Sequence, residues 1–124
     1  MVKYKRRFRA ISLVDNIPSM LAWANDEKYE DIFIQQLQNF IERDSVVIGF
    51  SGSGNSSNVI KAMMLANEVD LDITTIGFTG MKGGRLKEHT DICLIVPSNN
   101  MQRIEDMHLI LTHLITLMLR KEIE

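Results

Sequence analysis

The stretch that most constrains the fold is residues 45–69, where an apolar run, a glycine- and serine-rich turn and a helical pattern follow one another. Residues 46–50 are rich in β-branched side chains and lack polar alternation, which predicts a parallel strand covered on both faces. Apolar residues at helical spacing begin at Val59. Ser56 or Ser57 is expected to cap this helix, its side-chain oxygen accepting a hydrogen bond from a first-turn amide.

The turn itself combines small residues with hydroxyl groups. Its members are Ser51, Gly52, Ser53, Gly54, Asn55, Ser56 and Ser57. Glycine lets a backbone approach a ligand closely, and the free amides and dipole at a helix start favour an anion. We therefore favour a phosphate-ester site over the alternative in which glycine only bends the chain and serine only caps it. No Gly-Lys-Ser/Thr follows, as a P-loop requires, and the next strand ends without the acidic residue of a dinucleotide site, which favours a sugar phosphate over a nucleotide.

Length and composition narrow the class of protein. A chain of 124 residues with a net charge of −2 predicts one domain with no general attraction to nucleic acid or membrane. The only cysteine, Cys93, lies in an apolar run and is expected to be a packing residue in a reducing cytoplasm. No apolar stretch reaches the roughly 20 residues of a membrane span. A soluble, cytoplasmic protein is therefore expected.

Further elements are predicted on either side of the central stretch. A basic leader, residues 1–9, carries aromatic residues, and a solvated segment is favoured there over a nucleic-acid arm. The domain proper, residues 10–124, should begin with a strand over residues 10–14 that ends at Asp15, a site candidate or alternatively a helix cap or turn former. A crossover helix is predicted over residues 29–41. Two more strands are predicted over residues 73–79 and 92–96.

The last helix, about residues 101–121, is apolar on more than one side. Such a helix is buried on several sides, and in so short a chain this predicts a homo-oligomer formed through it. Glu105, His108 and His113 lie on this helix. His108 could pair with Glu105 three residues earlier, whereas Glu105 and His113 are separated by roughly 12 Å of helical rise. Taken alone, His113 is more simply an interface histidine than a metal ligand.

The sequence also resembles a known family. The run IGFSGSGNS at residues 48–56, followed by NVIKA at residues 58–62, resembles the sugar isomerase (SIS) domain, and more narrowly the phosphoheptose isomerases. Those enzymes convert sedoheptulose 7-phosphate to a mannoheptose 7-phosphate for lipopolysaccharide and related surface glycans. Supporting matches continue along the whole chain, through residues 10–16, 24–33, 75–80, 83–86, 91, 96–98 and 103–113. The resemblance implies an α/β fold with a parallel, flavodoxin-like sheet flanked by helices.

The resemblance also implies roles for individual residues. Substrate phosphate would lie on the serine-rich turn, and the implied set is Ser51, Gly52, Ser53, Gly54, Asn55 and Ser56. Asp15 matches a substrate-contacting aspartate, and His113 matches a histidine implicated in the isomerisation and in metal binding. Glu105 stands where the family usually has a metal-ligating glutamine, so zinc is the implied ion, with an incomplete ligand set in this chain.

Two kinds of departure qualify the resemblance. Gly52 replaces a threonine that is usual in the family. In addition, the family's N-terminal helices, first strand and catalytic glutamate have no counterpart, so an N-terminally truncated domain lacking an interior strand is expected. This argues against catalysis by the chain alone, although sugar-phosphate binding is still expected. The alternative is a non-catalytic SIS module that senses a sugar phosphate or scaffolds another protein.

Overall fold

The computed structural model describes residues 7–123, which form an α/β fold with a three-stranded parallel sheet. The helices are α1 (Ile17–Asp26), α2 (Ile34–Phe40), α3 (Ser57–Glu68) and α4 (Met101–Ile123), and the strands are β1 (Val46–Ser51), β2 (Thr74–Gly80) and β3 (Ile92–Val96). Short 3-10 turns lie at Tyr29–Asp31 and Leu86–His89. The strands are ordered β1-β2-β3, with β2 in the centre.

The two faces of the sheet are covered by different helices. Gly49 of β1 faces Val59 and Met63 of α3, and the lack of a side chain at Gly49 lets α3 lie close to the strand. On the opposite face, Gly80 of β2 lies against Ile104 of α4. Because all three strands are parallel, their carboxyl ends meet at one edge of the sheet, where residues 52–56, 81–85 and 97–100 follow them.

Among the described residues, the central α3 contributes more of the buried apolar core than any other element. Leu37 of α2 packs with Ala62 and Ala66 of α3, and a second cluster joins Ile60 and Met63 to Leu86. Near its start, α3 is also linked to the preceding 3-10 turn, since the Lys61 ammonium lies 2.9 Å from Asp31 and 3.2 Å from Glu30. The hydrogen bond with Asp31, followed by that with Glu30, raises the pKa of Lys61.

The prediction of a strand over residues 10–14 is wrong. Within residues 7–123 no strand lies beyond β1 to pair with it, and Ile11 and Val14 are about half exposed. The segment is held by side-chain contacts instead: the Gln36 amide donates to the Leu13 carbonyl at 3.0 Å. Of the predicted basic leader, residues 1–6 lie outside the described range, and Arg9 pairs with Glu42.

Two further corrections concern neighbouring elements. The single helix predicted over residues 29–41 is divided into the Tyr29–Asp31 turn and α2, and α1 before it was not predicted. β1 was expected to be covered on both faces, but its α4-side residues Val46, Ile48 and Phe50 are 57%, 51% and 46% exposed. The cause is that β1 is an edge strand within residues 7–123 and that α4 lies mainly over β2 and β3, reaching β1 where His108 meets Phe50.

Asp91 supports the other end of the sheet, where β2 and β3 begin. Its carboxylate accepts hydrogen bonds from the Thr75 amide at 2.7 Å and from the Thr75 hydroxyl at 2.9 Å. These two bonds, the backbone one first, lower the pKa of Asp91 from its usual value of 3.8. Thr75 itself is fully buried.

We expect Asp91→Asn to reduce stability at neutral pH but not in acid. A neutral amide keeps an acceptor but loses charge assistance, so the wild type should be more stable by at most about 1 kcal/mol, given the exposure of the carboxylate. Because the folded-state pKa is lowered, this advantage is complete above pH 3.8 and is lost as the pH falls through the folded pKa. Urea unfolding of both proteins at several pH values measures it, and a difference that stays constant into acid would contradict the assignment.

Candidate functional site

The predicted phosphate-binding turn lies where the sequence placed it, between β1 and α3. We call residues 51–56 the serine loop. The Gly54 amide donates to the Ser51 carbonyl at 2.9 Å, and Gly54 has a φ of +70°, a left-handed conformation that suits glycine. Ser51 is 5% exposed, and its hydroxyl lies 2.9 Å from that of Ser56. Two hydroxyl groups are thereby paired directly at the start of a helix.

Ser56 is the N-cap of α3, as one of the two predicted alternatives, but the predicted capping bond is not formed. Its side chain makes no cap hydrogen bond, because its hydroxyl is directed at Ser51. The first-turn amides of α3 are therefore not occupied by the Ser56 side chain. The Val59 amide is instead taken by the Asn58 side chain at 2.9 Å, so an anion bound at this point would meet the Ser57 and Asn58 amides and the positive end of the helix dipole.

A second loop, residues 80–86, holds the serine loop in place. The Gly80 amide donates to the Gly52 carbonyl at 2.9 Å, and the Leu86 amide donates to the Gly54 carbonyl at 2.8 Å. The Arg85 amide donates to the Asn55 side chain at 3.1 Å. The loops are so close that a Cβ at position 84 would lie 2.5 Å from the Ser53 carbonyl oxygen. These bonds preorganise the loop without using the Ser51 and Ser56 hydroxyl groups.

The second loop also carries positive charge, which the sequence analysis did not use. Lys82, Arg85 and Lys87 are exposed in or next to it. Their cations favour an anion at this edge of the sheet. Clustered basic residues around Gly83 and Gly84 were the available signal, and it was overlooked because the loop was recognised only as flexible.

The first two turns of α4 form the remaining wall. The Met101 side chain occupies the space beside Gly52 where a side chain would otherwise lie, and Ile104 covers Gly80. Pairing with Glu105 was one possibility for His108, but the structure gives its Nε2 atom a different partner. His108 is 7% exposed, and its Nε2 atom lies 2.9 Å from the Thr79 carbonyl oxygen.

The structure does not bring Asp15 to the serine loop. Asp15 lies in a turn before α1, where its amide donates to the Ser12 carbonyl at 3.4 Å. It lines an open cavity of about 460 Å³ that contains no residue of the serine loop. The other lining residues are Ala10, Ile11, Ser12, Asn16, Pro18, Gln36 and Phe40.

Glu105 and His113 are both exposed on α4. Their eight-residue separation corresponds to roughly 12 Å along the helix. Within residues 7–123 no three side chains of the types His, Cys, Asp and Glu are gathered as a metal site. The described residues of one chain therefore do not by themselves bring together the ligands of a zinc site. None of the helices in the same range has the length and apolar content that a bilayer crossing requires.

Comparisons with known proteins agree with this architecture. The SIS domain profile matches residues 26–119. The chain is 40% identical to a phosphoheptose isomerase of Helicobacter pylori over 111 residues, which are 90% of this chain and 57% of that protein. It is 38% identical to one of Aliarcobacter butzleri over 119 residues, covering 96% of this chain and 62% of the relative.

Solved structures give the same relationship. The phosphoheptose isomerase of Neisseria gonorrhoeae superposes with a TM-score of 0.79 at 32% identity, over 83% of this chain and 56% of that one. That of Francisella tularensis gives 0.77 at 30% identity, over 83% and 55%. The chain thus spans little more than half the length of the relatives it matches. It belongs to the SIS-domain family and is related to the phosphoheptose isomerases.

Proposed function

We propose that the serine loop binds the phosphate group of a sugar phosphate, and that sedoheptulose 7-phosphate is the ligand to test first. The observation that carries this proposal is the paired Ser51 and Ser56 hydroxyl groups at the amino end of α3. Hydroxyl groups, unoccupied amides and a helix dipole are the donors that phosphate esters require. Because the relatives are phosphoheptose isomerases, a sugar phosphate is favoured over other phosphate esters as the ligand.

We further propose that isomerisation, if this protein carries it out, needs groups in addition to those of one chain. Moving a proton between adjacent carbons requires a base beside the sugar and a group that polarises its carbonyl. Asp15 lines a different cavity from the serine loop, and Glu105 and His113 are solvent-exposed. A second copy, associating through the exposed apolar residues of α4, is the partner we propose. A role in lipopolysaccharide precursor synthesis depends on that activity.

The serine loop also supports a second candidate function, that of a non-catalytic module that binds a sugar phosphate. The candidate binding residues gather at one edge of the sheet, whereas the catalytic candidate Asp15 lines a separate cavity and the candidates Glu105 and His113 are exposed on α4. An aldose-ketose assay on the purified chain distinguishes the two functions. Turnover would support the isomerase, and binding without turnover at any protein concentration would support the module.

We expect Ser51→Ala and Ser56→Ala each to weaken sedoheptulose 7-phosphate binding by about tenfold or more. A hydrogen bond to a charged group contributes about 1.5–3 kcal/mol, and each variant breaks the hydroxyl pair that would donate to the phosphate. Isothermal titration calorimetry measures the affinity, with unphosphorylated sedoheptulose as the ligand control. Ser19→Ala, a half-buried serine on α1, is the matched protein control. Unchanged affinity in both loop variants would exclude the serine loop as the phosphate site.

A further inference from the structure

The buried residues of α4 lie in its first part. Of its 23 residues, Ile104 and His108 are the buried ones. With Met101 they lie at positions i, i+3 and i+7, on one face of the helix. Met101 contacts Gly52 and Ile104 contacts Gly80, so this face lies against the serine loop and the strand end next to it.

On this face of α4, the His108 ring makes a hydrogen bond with the Thr79 carbonyl oxygen. A carbonyl oxygen can only accept, so the 2.9 Å contact with Thr79 requires that His108 Nε2 carries the hydrogen. Two aromatic neighbours also hold the His108 ring in position. It meets Phe78 edge-on at a centroid distance of 5.8 Å and Phe50 at 5.9 Å.

The acceptor of this bond belongs to the same peptide unit that holds the serine loop. The carbonyl of Thr79 and the amide of Gly80 are the two ends of one peptide group, and that amide donates to the Gly52 carbonyl at 2.9 Å. A peptide group is planar and rigid, so fixing its oxygen also fixes the direction of its N–H. Consecutive hydrogen bonds through one amide polarise each other as well.

We propose that His108 is a positioning residue for the serine loop. Through the peptide between Thr79 and Gly80 it orients the Gly52 carbonyl, and thereby the loop that receives the phosphate group. This inference rests on the proposed sugar-phosphate binding. It assigns to His108 a part in ligand affinity rather than only in packing.

The test compares His108→Gln, His108→Phe and the control His89→Gln, which alters a histidine in the turn before β3. Glutamine keeps an N–H donor at a similar reach, whereas phenylalanine fills the space without one. We expect His108→Phe to raise the Kd for sedoheptulose 7-phosphate by about three- to tenfold, the size of one hydrogen bond. His108→Gln and His89→Gln should stay within about twofold of the wild type on that same scale.

Two measurements separate positioning from simple packing. Thermal melts without ligand report packing, and hydrogen exchange of the Gly80 amide reports the link to Gly52 without any ligand. Faster Gly80 exchange with weaker binding in His108→Phe, and recovery of both in His108→Gln, is the expected result. A lower melting temperature with unchanged Kd in His108→Phe would overturn the proposal, as would equal impairment of the two variants. If the wild type bound no sugar phosphate, the proposed function would fail together with the role in affinity, whereas the Gly80 exchange rates would still show whether His108 orders the loop.

Discussion

A Gly54→Ala variant is expected to lose measurable sugar-phosphate binding and at least about 2 kcal/mol of stability. Gly54 has a φ of +70°, which costs a residue with a side chain of the order of 1 kcal/mol or more. Its new Cβ would also overlap the Gly83 carbonyl oxygen, a backbone atom that cannot rotate away. The two loops would have to separate, which breaks the hydrogen bond from the Leu86 amide to the Gly54 carbonyl.

The matched control for this variant is Gly52→Ala in the same loop. There the added Cβ would meet the thioether of Met101, a flexible side chain that can adopt another rotamer. Gly52 also lacks the positive φ of Gly54. Calorimetric titration with sedoheptulose 7-phosphate and urea unfolding should show a clearly smaller loss for Gly52→Ala. Equal losses in the two variants would mean that the close approach of the loops does not determine binding.

A Phe78→Ala variant is expected to lose about 3–5 kcal/mol of unfolding free energy, the usual cost of truncating a buried phenylalanine. Phe78 is 2% exposed in the central strand, and its ring stacks on Phe50 at a centroid distance of 4.5 Å. Small domains are stable by about 5–15 kcal/mol, so a large part of the total would be removed. Truncation would also leave the His108 ring without one of its aromatic neighbours.

Phe50→Ala tests whether burial rather than ring stacking sets that loss. Phe50 and Phe78 are partners in the β1–β2 ladder and share the same stacked pair, but Phe50 is 46% exposed. Its truncation should therefore cost about half as much or less, in proportion to the apolar area that leaves water on folding. Urea unfolding followed by far-ultraviolet circular dichroism measures both. A Phe50→Ala loss as large as that of Phe78→Ala would show that the exposed face of β1 is covered in solution.

The elements that were predicted correctly have patterns complete within their own residues. β1, β2 and β3 each have a short apolar run bounded by turn residues, and α3 and α4 have apolar residues at helical spacing. The α1 helix also had a local signal that was overlooked. Asn16 accepts a hydrogen bond from the Ser19 amide at 3.1 Å, and Pro18 lies in the first turn, which is where helices tolerate proline.

The strand expected over residues 10–14 failed for a reason that no local pattern contains. A β-strand exists only if a neighbour pairs with its backbone, and in residues 7–123 no strand does so for this segment. The apolar residues Ile11 and Val14 favour a strand by composition. They nevertheless remain exposed, so composition alone was not decisive.

The site shows the same division between local and non-local information. The position of the serine loop follows from its own residues, because glycine and serine after a strand and before a helix are a local pattern. The hydrogen bonds from Gly80, Arg85 and Leu86 depend on the parallel pairing of β1 with β2, which brings the two loops together. The contact of His108 with Thr79 joins residues 29 positions apart, so helical spacing could only suggest Glu105 as its partner.

The outer edge of β1 affects how the chain should be handled at the bench. Its backbone groups lack a strand neighbour within the described residues, and they lie beside the exposed side chains of Val46, Ile48 and Phe50. An uncharged apolar edge of this kind is a template on which a strand of another molecule can add. Addition of this sort is second order in protein, whereas unfolding is first order. Dilution should therefore slow strand addition while leaving the rate of unfolding unchanged.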